Sequence, residues 1–311
     1  MLNILLSQSR YTKAEEIAKK RIETSEQKTM PILSLIAVFE AQEKHSDVSM
    51  LLNTYQQELG DSKEAALVKY TNSIAMGNFE EAKNAIFSLQ KFGVTEALLS
   101  LFKGEVNFKQ GNVNEALREF KSSYAKSPEF GTSVYIAKTL VRLQRVEEGA
   151  DVLINELART STPSKRQYNV VAEYLNKFNF HEKAIRVYEV MEGQFSLTPE
   201  EYNNISDVNL KLGRLELAEA YIKSALTKEK SPIFLVTYTE VLLEMGRVDL
   251  AEQSILEVLR SEETNEYANV LLATVYVNQG RKDDALKIIN HFGEKHSAYS
   301  RKWSSLRSQL N

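Results

Sequence analysis

The 311-residue chain has a formal charge of −3, no cysteine, and only 12 glycines and 5 prolines. The absence of thiols excludes a disulfide framework, a thiolate nucleophile and a zinc–thiolate site together. The slight acidity argues against sequence-independent nucleic-acid binding, which needs a basic face to neutralise phosphates. No apolar run approaches the roughly 20 residues of a membrane-spanning helix, and Leu2–Leu6 is too short for a secretory core and has no basic flank. Cytoplasm and periplasm both stay open.

A recurring turn organises the chain. Gly77-Asn78-Phe79-Glu80-Glu81-Ala82, Gly111-Asn112-Val113-Asn114-Glu115-Ala116, Gly213-Arg214-Leu215-Glu216-Leu217-Ala218, Gly246-Arg247-Val248-Asp249-Leu250-Ala251 and Gly280-Arg281-Lys282-Asp283-Asp284-Ala285 share one grammar. A glycine is followed by a polar residue, and an alanine comes five positions after the glycine. Weaker copies begin at Ser9, Gln144 and Asn179, and one more is required near His45–Ser49, where the register is ambiguous by one residue. From Ala14 to Ala285 eight steps average about 34 residues, a period that marks stacked supersecondary units rather than a globular pocket enzyme. The count is eight full units and one partial unit at the front.

Each unit reads as two amphipathic helices. In chain order, Val113, Ala116, Leu117, Phe120 and Tyr124, then Leu215, Ala218, Ile222 and Ala225, then Ala285, Ile288, Ile289 and Phe292 recur at three- and four-residue spacing. Seven positions before the turns stand small residues, Gly104, Ala137, Ala172, Ser206, Thr239 and Ala273, which let the paired helix approach closely; Tyr70 breaks this series. Pro31, Pro128, Pro163, Pro199 and Pro232 fall between units, and Thr198-Pro199 and Ser231-Pro232 read as N-caps with proline in the first helical position. At the end, Trp303, Leu306 and Leu310 give a polar helix with one apolar stripe. The fold expected is all-α: a repeat array over residues 1–297, its first repeat incomplete as in a segment of a longer protein, and a capping helix over 298–311.

This pattern resembles the tetratricopeptide repeat from about Leu2 to His296. The best copy runs from Tyr267 to Ser297, with Leu272, Ala273, Tyr276, Gly280, Ala285 and Phe292 where that family keeps large, small and aromatic residues. No copy has the family's early tryptophan, and the second unit is degenerate. The resemblance implies a right-handed α-solenoid, a superhelix whose inner wall is lined by the first helix of each unit and binds a peptide. The family's lysine–asparagine clamp for acidic chaperone tails does not map, because its slots carry Leu67, Leu101 and Val134.

Catalytic chemistry is thin. His45, His181, His291 and His296 show no i, i+4 pairing, and there is no phosphate-binding glycine loop or Gly-x-Ser-x-Gly elbow. Glu80-Glu81 and Glu147-Glu148 sit where they complement helix dipoles. No catalytic residue, metal or cofactor is expected.

The inner wall holds more. Lys109, Arg142, Lys177 and Lys211, then Glu244, lie two positions before successive turns, and Glu105, Lys138, Glu173, Asp207 and Glu240 lie one helical turn earlier. Glu105–Lys109, Glu173–Lys177 and Asp207–Lys211 form favourable i, i+4 pairs, worth about 0.2–0.5 kcal/mol each. The fifth unit breaks the rule, since Lys138 and Arg142 are both basic. Phe102, Tyr135, Lys138, Arg142, Asn169, Asn203, Asn204 and Asp207 are therefore the candidate binding residues, although Phe102 and Tyr135 equally suit packing against the neighbouring unit. The function expected is a non-catalytic scaffold that binds a protein segment. A helical-repeat RNA binder, and a regulatory or anchoring arm of a larger enzyme or of a bacterial pilus, polysaccharide or secretion system, are the alternatives. End-to-end stacking would give a homodimer.

Overall fold

The computed structural model describes residues 2–293 and 298–310. The last residues of the Tyr267–Ser297 copy, and with them the boundary at 297, lie outside the described residues. Helices fall into two compact units. The first, Met1–Arg159, holds α1 (Leu2–Ser7), α2 (Tyr11–Thr24), α3 (Thr29–Glu40), α4 (His45–Thr54), α5 (Gln56–Leu59), α6 (Lys63–Met76), α7 (Phe79–Lys91), α8 (Glu96–Gln110), α9 (Val113–Lys126), α10 (Phe130–Arg142) and α11 (Val146–Arg159). The second, Thr160–Asn311, holds α12 (Lys165–Lys177), α13 (His181–Glu192), α14 (Pro199–Lys211), α15 (Leu215–Lys228), α16 (Pro232–Glu244), α17 (Val248–Ser261), α18 (Glu266–Asn278), α19 (Lys282–Phe292) and α20 (Ser300–Gln309). The described residues contain no strand.

Helices pack in sequential pairs, such as α8 on α9 and α14 on α15, and within each unit successive pairs meet through contacts such as α9 with α10 and α15 with α16. The turn within each pair has one geometry. Ser9, Glu43, Gly77, Gly111, Gln144, Asn179, Gly213, Gly246 and Gly280 all adopt positive φ, between 54° and 83°. The N–H of the next residue then donates to the carbonyl five positions back at 2.8–2.9 Å in all nine, from Arg10 to Leu5 through to Arg281 to Tyr276. This is the helix-ending bond that satisfies an otherwise orphaned carbonyl. Four of the nine positions lack glycine, yet the turn forms.

Glu43 resolves the ambiguous second repeat. With Glu43 left-handed, Val48 occupies the alanine slot and is fully buried, like Ala14, Ala82 and Ala116. That repeat then departs from the pattern: α4 stops at Thr54, and α5 leads into Gly60 at φ 58°.

Small residues before the turns have the expected role at Gly104, where a Cβ would stand 2.6 Å from the Phe120 ring. Tyr70 fits the same slot because its repeat carries Ile86 where the next carries Phe120, and both side chains share one buried cluster. Thr198 and Glu201 form a capping box ahead of α14, with Pro199 in the first turn. Ser231 makes no side-chain cap, although Pro232 does open α16. Pro31 lies inside the first turn of α3 rather than before it, a place where the N–H it lacks has no helical acceptor in any case.

Helix α20 keeps the period. α16, α18 and α20 begin at residues 232, 266 and 300, and α20 packs on both α18 and α19 as α18 packs on α16 and α17. It is thus placed as the first helix of a further repeat. Trp303, Leu306 and Leu310 are buried with Val270, Ala273, Ala285 and Ile289, and Trp303 Nε1 donates to Glu266 Oε1 at 3.0 Å.

Candidate functional site

The eight candidate residues divide between the units, and each set is described within its own. In Met1–Arg159, Phe102 packs at a tilt against Tyr70 of the preceding repeat with ring centroids 4.2 Å apart, and Tyr135 stacks on Phe120 at 5.0 Å. Tyr70 Oη donates to Glu105 Oε2 at 2.6 Å, so Glu105 serves a neighbouring tyrosine instead of Lys109. Burial, reinforced by this carboxylate, pushes the Tyr70 hydroxyl well above the usual phenol range. Arg142 is also engaged: its Nη1 donates to Phe108 O at 2.6 Å, and its guanidinium lies 3.7 Å from the Phe108 ring centroid. Lys138 and Arg142 are both exposed, but only Lys138 of the two makes no ion pair, hydrogen bond or ring contact among the described residues. These side chains therefore mainly join one repeat to the next.

In Thr160–Asn311, Asn169 Nδ2 donates to Glu201 Oε1 at 2.7 Å, and Lys165 Nζ holds Glu201 Oε2 at 2.6 Å. Burial raises the Glu201 pKa, but the hydrogen bonds from Asn169, Lys165 and the Thr198 backbone together hold it below the ordinary carboxylate value. Asp207 accepts from Lys211 Nζ at 2.7 Å and from Asn176 Nδ2 at 2.9 Å; it is the one expected i, i+4 pair that closes. Asn203 and Asn204 are half-buried, and Asn203 Oδ1 is a buried acceptor with no hydrogen-bond partner. Lys177 lies over the Phe178 ring at 5.7 Å.

Beyond Asp207 the same face opens into a cleft of about 530 Å³. Its walls come from the first helices of successive repeats, α14, α16 and α18, and from α20, so the placement of α20 as a further first helix completes it. Leu210, Leu243, Val270, Leu271 and Leu306 supply the apolar surface; Lys211, Glu240, Glu244, Tyr267 and Lys302 supply the polar groups. Tyr267 Oη donates to Glu240 Oε1. Lys302 Nζ sits 4.3 Å from the Tyr267 ring centroid and 3.0 Å from its hydroxyl. Burial pushes the Glu240 carboxyl above its ordinary pKa despite the Tyr267 hydrogen bond. None of the eight sequence candidates lines this cleft. The signal for it was present: Glu240 and Glu244 are two acids on one helical face, and Glu244 is where the basic series changes sign.

Among the described residues no helix is long and apolar enough to cross a membrane.

A tetratricopeptide repeat model matches residues 202–227, which span most of α14 and α15. No curated protein sequence matches the chain. Among solved structures, a tetratricopeptide repeat protein from Parabacteroides merdae superposes with a TM-score of 0.58 at 15% identity, covering 81% of this chain and 100% of that one. The C-terminal part of a repeat-containing protein from Cytophaga hutchinsonii gives 0.59 at 11% identity over 76% and 97%. PilW, a type IV pilus biogenesis factor, gives 0.53 at 12% identity over 69% and 99%. The matched repeat, the shared fold and the nine left-handed turns at one period give the chain the fold of a tetratricopeptide-like helical array.

Proposed function

We propose that this chain is a non-catalytic scaffold that holds a segment of a partner protein against the face formed by the first helices of its repeats. The observation that carries this reading is the cleft between α14, α16, α18 and α20. It combines an apolar surface with a few fixed polar groups, the usual composition of a recognition site, and a small number of buried anchors can supply most of the affinity. The similarity to a pilus biogenesis factor is in keeping with an assembly role. Lys138 is a second point of attachment within the first unit, exposed and free to meet an acidic group.

The test is affinity capture from native lysate with mass-spectrometric identification, using wild type, Asn278→Trp to fill the cleft from an exposed position, and Lys138→Glu. A defined protein captured by wild type and lost with Asn278→Trp, at unchanged helicity, supports the reading. Equal capture by wild type and Asn278→Trp moves the binding face elsewhere. Recovery of RNA without a specific protein overturns the scaffold reading.

A further inference from the structure

The cleft has an unbalanced charge pattern. On the α14 wall, Lys211 is closed onto Asp207 at 2.7 Å. On the α20 wall, Lys302 is committed to the ring and hydroxyl of Tyr267. The lining residues of α18 are Tyr267, Val270, Leu271, Thr274 and Asn278, none of them a formal charge. The α16 wall differs. Glu240 and Glu244 lie one helical turn apart, and neither makes an ion pair among the described residues. Glu240 accepts a hydrogen bond from the Tyr267 hydroxyl and feels the Lys302 and Lys211 charges only at a distance, and Glu244 is exposed. Leu243, Leu271 and Leu306 line the same cleft with apolar surface.

We infer that this cleft takes a basic side chain of the partner segment, an arginine or lysine flanked by apolar residues, with its charged head on Glu240 and Glu244. The inference rests on the scaffold reading above and names the chemistry of the occupant. A long aliphatic stem covers apolar wall while its head reaches a carboxylate, and a guanidinium suits this best because it can bridge two oxygens. A cation arriving here also relieves the unfavourable burial of Glu240, whose carboxyl is pushed up by desolvation.

The experiment is an NMR titration of the full chain with three blocked tripeptides: acetyl-Leu-Arg-Leu-amide and its Gln and Glu counterparts. The expected result is that the Arg peptide shifts the resonances of Val270, Leu271 and Leu306, and binds about tenfold more tightly than the Gln peptide, a step of about 1.4 kcal/mol. Glu244→Gln, at an exposed position without partners, removes most of that preference and leaves the fold intact; Glu240→Gln removes more. Equal or tighter binding of the Gln or Glu peptide in the cleft overturns the basic occupant and leaves the groove reading standing. If no peptide shifts cleft resonances, the cleft is not a docking site for such segments, and the scaffold reading is then decided by the capture experiment alone.

Discussion

Helices α10 and α16 occupy equivalent places in their repeats, and each carries two like charges on its inner face, Lys138 and Arg142 on one, Glu240 and Glu244 on the other. Their fates differ. Arg142 is drawn onto the ring and carbonyl of Phe108 in the preceding repeat, while Glu244 stays exposed beside an open cleft. A like-charge pair along one helix is therefore not a binding signal until the neighbouring helix is known. An aromatic ring next door turns a cation into an inter-repeat tie; a leucine-lined gap leaves an anion available.

The largest test of the contrast removes the helix that closes the cleft. Trp303→Ala should cost about 3–5 kcal/mol, because Trp303 is almost wholly buried and anchors α20 on α18. Urea denaturation followed by circular dichroism measures the loss, which should fall on the second unit; hydrogen exchange in α6 to α10 should stay unchanged.

The turns that follow the two helices give the next effect. Gln144 after α10 and Gly246 after α16 are both left-handed, at φ 60° and 71°. Gly246→Ala meets no atom within 4 Å, so its cost is the backbone penalty alone, about 1–2 kcal/mol. Gln144→Gly should act in the opposite direction and stabilise by about 0.5–1 kcal/mol. Thermal or urea midpoints of the two variants check the opposite signs.

A smaller difference addresses the charges directly. Arg142→Ala should destabilise by about 1 kcal/mol through loss of the stacked guanidinium and its hydrogen bond. Glu244→Gln should change stability by less than about 0.5 kcal/mol, as expected for a surface site without partners. Equal costs in paired denaturation curves would mean that both helices are tied alike, and the comparison would collapse.

The smallest effect is in pH. Glu201 titrates below its ordinary value, so its contribution is present above that value and is lost as pH falls through its folded pKa. Glu240 titrates above its ordinary value, so the folded state loses stability as pH rises from that value through the folded pKa. Urea midpoints between about pH 3 and 7 should show Glu201→Gln flattening the acid limb and Glu240→Gln flattening the fall on the other side.

The repeat was legible in the sequence because its constraints are local. A small residue five positions after a turn shows in a single chain, and so does proline in a first turn. Gln144 opens one of the weaker copies, yet it is left-handed like the glycines, with main-chain bonds from Gln144 and Arg145 closing the turn. The candidate site was less legible for the opposite reason. Phe102, Tyr135 and Arg142 have their partners one repeat away, at Tyr70, Phe120 and Phe108, and Glu105 chose Tyr70 over the lysine four residues on. Such pairings depend on which side chains face each other across stacked helices. The cleft needed α20 as well, whose placement as a further first helix emerges only when its start is set beside those of α16 and α18.

The nine closing bonds have one further consequence. Each is made by backbone atoms that every residue except proline possesses as a donor, so the turn can lose its glycine without losing its shape. Mutational drift there changes the energy of a repeat but leaves its pitch intact. The architecture can thus outlast the sequence signature from which it is recognised: one repeat, residues 202–227, still matches the family model, while nine turns still keep the spacing.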